Sequence, residues 1–249
     1  GSNHTCAISA ENMVECWGAD SSGQSGALNM TFSQISSGYV HSCGLTTEGS
    51  VECWGASGDD FDYGQVTGAP EGQFAYITSG DFHSCAISVD GLVQCWGRDD
   101  DGQSTPPEGV FTSLTAGTAH TCGIGPLGSS GNGDGEIECW GANAQLSSPE
   151  GAYGEITGGS YHTCARKTDG TVDCWGSSSD GQSTPPDLEE VRFTQISAGG
   201  DFTCGLTADF VGDYTQNELL CWGSNDDGQL YSQSKKFLYL SAGQSYVTG

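Results

Sequence analysis

Twelve cysteines in six pairs constrain this chain more than any other feature: 6/16, 43/53, 85/95, 122/139, 164/174 and 204/221. Four pairs are ten residues apart and two are seventeen apart, and none has the C-x₂₋₄-C spacing usual for zinc. The segment Cys85-Ala-Ile-Ser-Val-Asp-Gly-Leu-Val-Gln-Cys95 serves as the model unit. Val89-Asp90-Gly91 reads as a three-residue hairpin loop with Gly in the left-handed position. If Ser88 and Leu92 close this hairpin, pairs alternate outward, and Cys85 meets Cys95 in a non-hydrogen-bonded pair, close enough for a disulfide. The other short units, Ala10-Glu11-Asn12, Thr47-Glu48-Gly49 and Thr168-Asp169-Gly170, also end their loops in Gly or Asn. Six disulfides follow, one per hairpin, in hairpins 4–18, 41–55, 83–97, 120–141, 162–176 and 202–223. Each ten-residue closure contributes about 2.5–3 kcal/mol in the chain-entropy model. Such cysteine usage belongs to an oxidising compartment, so the expected location is extracellular, secreted or at the cell surface.

The cysteines sit inside a longer repeat. Each unit reads aromatic-x-x-I/L-S/T-x-G, then H-x-C-x-I/L, a turn, V-x-C-W-G and usually G-Q. The leading aromatics are Phe32, Phe74, Phe111, Tyr153, Phe193 and Phe237, spaced 42, 37, 42, 40 and 44 residues apart. A period near forty built from short strands indicates a propeller with one sheet per blade. The expectation is one all-β domain over residues 1–249, a β-propeller of six four-stranded blades with an intra-hairpin disulfide in each. The chain starts at His4-Thr-Cys6 without a leading aromatic strand and finishes with Phe237-Leu-Tyr-Leu-Ser-Ala-Gly243. That C-terminal strand is expected to complete the first blade. Tyr246 and Thr248 fall in the His and Cys slots that His4 and Cys6 already fill, which leaves two alternatives. One is a seven-bladed ring truncated here. The other is strand exchange, in which 237–243 completes the next subunit's first blade and builds an oligomer or filament.

Ile35-Ser36-Ser37-Gly38-Tyr-Val-His41-Ser-Cys43-Gly-Leu45, Val51-Glu-Cys53-Trp54-Gly55 and Trp222-Gly223-Ser-Asn-Asp-Asp-Gly228-Gln229 carry a resemblance. They resemble the regulator-of-chromosome-condensation repeat family, and more closely its cysteine-containing version in secreted bacterial proteins. The resemblance implies a β-propeller acting through protein–protein contacts and only rarely through catalysis. Known members commonly have seven blades, against six units here. No family activity transfers with the fold.

The chain holds 32 acidic residues against six basic ones, a net charge of −26. The basic residues are scattered, which excludes a phosphate-backbone stripe and therefore nucleic acid. An anionic membrane surface is disfavoured on the same ground, and no apolar run is long enough to span a bilayer. Acidity of this kind suits salty surroundings or a cationic partner.

Catalytic constellations are absent from the pattern. There is no G-x-S-x-G, H-E-x-x-H or Walker motif, and each histidine (4, 41, 83, 120, 162) is tied to the repeat slot two residues before a cysteine. Phe202 fills that slot in the sixth unit, so packing rather than metal binding explains it. No enzyme, cofactor or metal site is expected. The Asp-rich stretches Asp99-Asp100-Asp101-Gly102, Asp59-Asp60-Phe-Asp62 and Asn225-Asp226-Asp227-Gly228 read as turn chemistry, with weak calcium binding as the alternative. Asn132-Gly-Asp134-Gly-Glu136 is the better single calcium candidate.

The two seventeen-residue hairpins carry insertions, where binding loops tend to lie on repetitive scaffolds. Phe210, Tyr214 and Leu219 in one, and Asn132, Asp134 and Glu136 in the other, are the candidate contacts. Two glycosylation sequons occur, at Asn3 and Asn29. The functional expectation is a non-catalytic protein-binding or structural module with an unidentified protein partner or self-assembly. The alternative is a lectin whose repeated Trp (17, 54, 96, 140, 175, 222) stack on glycans.

Overall fold

The computed structural model describes residues 1–26, 28–56, 61–127, 135–142, 147–186, 191–208, 217–230, 237–244 and 247–248. Every regular element among them is a β-strand. Residues 1–121 with 140–142 form one compact unit, and residues 122–139 with 143–249 form a second.

The first unit opens with β1 (His4–Ile8) and β2 (Val14–Gly18), a two-stranded sheet. Two three-stranded sheets follow. One is β3 (Phe32–Ser37), β4 (His41–Thr46) and β5 (Val51–Gly55); the next is β6 (Phe74–Ser79), β7 (His83–Ser88) and β8 (Val93–Gly97). The fourth repeat supplies β9 (Ser113–Ala116), β10 (His120–Leu127) and β11 (Gly135–Gly141), and the division between the units falls inside it. In the second unit, β12 (Tyr153–Gly158), β13 (His162–Lys167) and β14 (Val172–Gly176) pair in order. So do β15 (Phe193–Ala198), β16 (Phe202–Thr207) and β17 (Leu219–Gly223). The last pair is β18 (Ser241–Ala242) with β19 (Val247–Thr248).

Hairpin register is the same wherever it is described. Cys6 pairs with Cys16, Cys43 with Cys53, Cys85 with Cys95, Cys164 with Cys174 and Cys204 with Cys221. All six disulfides join the cysteines that the spacing assigns, Cys122–Cys139 included. Asn12, Gly49, Gly91 and Gly170 take positive φ at the third loop position, where a β-carbon is costly and Asn or Gly is tolerated.

A bulge explains the aromatic-x-x-I/L spacing. On a regular strand, residues three apart face opposite sides. Here the register shifts between Phe32 and Gln34, between Phe74 and Tyr76, between Tyr153 and Glu155, and between Phe193 and Gln195. One extra residue brings Phe74 and Ile77 to the same buried side, and likewise Phe193 and Ile196. The residue opposite must then be small. A β-carbon on Gly44 would overlap the Phe32 ring, and Gly205 stands in the same relation to Phe193.

One expectation is corrected. The described sheets have at most three strands per repeat rather than four, because the stretch after Trp-Gly closes on itself as turns. In each such turn the Gln side chain caps a backbone N–H two residues earlier. Ser22 N–H donates to Gln24 Oε1 at 2.8 Å, Tyr63 to Gln65 at 2.7 Å and Asp101 to Gln103 at 2.9 Å. In the second unit Asp180 donates to Gln182 at 2.9 Å and Asp227 to Gln229 at 2.8 Å. This side-chain pairing satisfies the backbone locally and replaces a strand ladder.

The C-terminal strand β18 pairs with the segment that follows it. Ser241 pairs with Thr248 and Ala242 with Val247. That register is the one by which Ser36 pairs with Cys43 and Ser37 with Ser42. Leu240 packs on Phe202, Leu206 and Leu219 of the sixth repeat.

Close approach of backbones between repeats makes one glycine per repeat indispensable. A methyl on Gly80 would overlap the carbonyl oxygen of Gly117 and the ring of His83. Gly80→Ala is expected to cost about 3 kcal/mol, at the upper end of overpacking effects, read as a shift in the urea midpoint. An unchanged midpoint would contradict this packing.

Candidate functional site

Neighbouring repeats are joined by buried polar contacts that repeat with the sequence. The histidine Nε2 reaches the hydroxyl just before the cysteine of the next repeat: His4 to Ser42 at 2.8 Å, His41 to Ser84 at 2.9 Å and His83 to Thr121 at 2.8 Å. In the second unit His162 reaches Thr203 at 2.7 Å. Thr121 donates its own proton to the Gln103 carbonyl at 3.0 Å, so His83 donates through Nε2 and its Nδ1 is bare. The Nδ1 atoms of His41, His83 and His162 are buried with no hydrogen-bond partner. Burial lowers the pKa of His41 and His83 from 6.5 to about 3, and the charge of the neighbouring histidine adds to it. Burial likewise takes His4 and His162 to about 4. These are neutral, structural imidazoles, and Phe202 fills the same buried slot.

The Gln carbonyl also accepts the indole N–H of the following repeat. Trp54 donates to Gln24 at 3.1 Å, Trp96 to Gln65 at 2.9 Å, Trp140 to Gln103 at 3.0 Å and Trp222 to Gln182 at 3.0 Å. Trp54, Trp96, Trp140, Trp175 and Trp222 are all buried. A glycan cannot stack on rings already sealed in protein, so the repeated-Trp lectin arrangement is corrected for these five. Trp17 alone of the six is open, at 55%.

The other candidate residues are distributed as follows. Phe210, Tyr214, Asn132, Asp134, Asp59, Asp60 and Tyr246 lie outside the described residues. Leu219 is no loop contact: it pairs with Leu206 on β17 and is buried. Glu136 is exposed on β11, and both sequon residues, Asn3 and Asn29, are exposed. Asp99 accepts from Ser104 N–H at 2.8 Å and from Thr105 Oγ1 at 2.7 Å, so this acidic stretch serves its own turn. Among the described residues no group of three or more His, Cys, Asp or Glu is placed to hold a metal.

One surface feature breaks the repeat. His41 pairs with Gly55 and His83 with Gly97, so the G-x-x-H loop and the segment after C-W-G share one end of each sheet. At that end Tyr39, Phe61, Tyr63 and Phe82 cluster. Phe61 stacks on Phe82 with centroids 5.6 Å apart and planes at 15°. Tyr39 meets Phe82 at 5.4 Å and Phe61 at 6.2 Å, and Tyr63 meets Phe82 edge-on at 5.6 Å. Phe61 remains 45% and Tyr63 42% exposed. Tyr39 and Phe61 also border an open pocket of about 380 Å³, lined besides by Asn3, Ala19, Ser21, Ser22, Gln24 and Val40.

The sequence carried a signal for this cluster that the cysteine-centred reading passed over. Trp and Gln are seven residues apart in 17/24, 96/103, 175/182 and 222/229, but eleven apart in 54/65. That four-residue excess lies directly before Phe61 and Tyr63.

The repeat resemblance and the fold are both supported by likeness to known proteins. Residues 1–24, 32–65, 74–103 and 155–182 match the model of the regulator of chromosome condensation (RCC1) repeat. These four segments carry the sequence pattern of that repeat. Among solved structures, the receptor kinase CR4 ectodomain of Physcomitrella patens is 28% identical with a TM-score of 0.77, covering 99% of this chain and 67% of that one. The CRINKLY WD40 ectodomain of the Arabidopsis thaliana receptor kinase ACR4 is 23% identical, TM-score 0.74, covering 99% and 87%. Prp20p of Saccharomyces cerevisiae, described with its binding to Gsp1p and histones, is 14% identical, TM-score 0.79, covering 99% and 80%. The fold is therefore of the β-propeller class. No curated protein matches the chain.

Proposed function

We propose that this chain is a non-catalytic, extracellular protein-binding module that uses the loop end of its first unit. The observation that carries the reading is the aromatic cluster in which exposed Phe61 and Tyr63 lie against half-buried Tyr39 and Phe82. Aromatic side chains dominate the energetic centres of protein interfaces, and a contiguous exposed group of them is uncommon on a surface without a partner. Six disulfides and the likeness to two receptor ectodomains support an extracellular setting. The binding of proteins by Prp20p supports the general mode. Buried, neutral histidines and fully paired cysteines leave no evident base or thiol nucleophile, which supports a non-catalytic role.

A photo-crosslinking amino acid at position 61 tests the reading, with the same group at position 89 as control. Val89 is 65% exposed on the hairpin turn at the opposite end of its sheet. The expected result is saturable labelling of a discrete protein from position 61 only, competed by unlabelled wild type. Equal labelling from both positions would overturn it.

A further inference from the structure

We propose that the Tyr39–Phe61 pocket and the adjoining rings accept a cationic side chain, arginine or lysine, from a basic segment of the partner; this rests on the protein-binding reading above. Cations bind over aromatic faces within about 6 Å of the ring centroid, where the quadrupole attracts them. Tyr39 and Phe61 both line the pocket, with centroids 6.2 Å apart and planes at 63°, so two aromatic rings of different orientation stand within reach of one bound cation. Polar side chains of Asn3 and Ser21 on the same pocket supply oxygen acceptors for a charged N–H group.

The cluster already holds a cation in this way. The Arg98 guanidinium lies 5.5 Å from the Tyr63 centroid while its Nε donates to Asp100 at 2.8 Å. That contact occupies Tyr63, and the Phe61 ring beyond it remains open. Charge selects the same ligand. Residues 1–121 contain fifteen acidic side chains and one basic one, Arg98 itself. Asp62 is exposed between Phe61 and Tyr63, and Asp99, Asp100 and Asp101 follow Arg98 directly. A neutral sugar would gain stacking from these rings but nothing from the surrounding carboxylates, and an anionic ligand would be repelled. A basic segment gains from both.

Random dodecapeptides displayed on phage and selected on the disulfide-bonded chain test this, with counter-selection on Phe61→Ala and Tyr39→Leu. Both substitutions are at surface rings, and unchanged thermal midpoints certify the variants. Peptides kept by wild type and lost on the variants are expected to be enriched at least threefold in arginine and lysine. A synthesised representative should bind at least tenfold more weakly to Phe61→Ala, retain its affinity for Phe61→Tyr, and lose at least tenfold when its arginines become citrulline. Phe61-dependent peptides without basic enrichment, or with citrulline as good as arginine, would overturn the cationic ligand and leave the protein-binding face standing. Absence of any Phe61-dependent peptide would overturn both.

Discussion

Lowering the pH from 7.5 to 5 is expected to remove about 8 kcal/mol of folding stability, roughly 2 kcal/mol from each of four buried histidines. His4 and His162 are lowered from 6.5 to about 4, and His41 and His83 to about 3. A depressed folded-state pKa means that the unfolded chain takes up the proton first. The stabilising contribution is complete above pH 6.5, declines below it, and is lost as pH falls through 4 and then 3. The carboxylates act in the opposite sense, since their protonation relieves the repulsion of a chain at −26. The histidines dominate between 6.5 and 5, because that is where the imidazoles of the unfolded chain take up their protons. Urea titrations at pH 7.5, 6 and 5 measure the slope. His83→Phe supplies the internal control, because Phe202 shows that the slot admits a phenyl ring. That variant should lose about 1 kcal/mol at pH 7.5, from the missing bond to Thr121, and show a shallower acid slope. A slope equal to wild type would refute the assignment.

Trp96→Ala is expected to destabilise the chain by about 3–5 kcal/mol, the range for deleting a large buried aromatic. Trp96 packs with Leu45, Val51 and Cys43 of one repeat and with Phe74, Ile77 and Ala86 of the next, so its loss opens a cavity between two sheets. It also leaves the Gln65 carbonyl without the indole donor at 2.9 Å. Trp96→Phe keeps most of the volume and loses the donor, and should cost about 1–2 kcal/mol. Calorimetric or urea midpoints separate the two. Equal effects in both variants would mean that the hydrogen bond, rather than the packing, holds the repeats together.

Much of the fold was legible in the residues because its rules are local. The alternation from Ser88 and Leu92 outward places Cys85 against Cys95 without reference to the rest of the molecule. The bulge after each leading aromatic was not legible. Phe-x-x-Ile is ambiguous until the register shift puts both residues on one side. Equally, the propeller reading carried four strands per blade, and the Gln side chain's bond to its own turn takes the place of the fourth. The aromatic site escaped because Tyr39, Phe61 and Phe82 belong to different loops and meet only when two repeats stack.

The six cysteine pairs therefore specify hairpin, register and disulfide from short-range geometry alone, since each ring closes within ten or seventeen residues. Contacts between repeats settle the remainder: the burial of Trp54 and Trp96 and the clustering of rings around Phe82. These depend on which surfaces some forty residues apart come into contact. A pattern with period two records what lies across a strand, not what packs against its face.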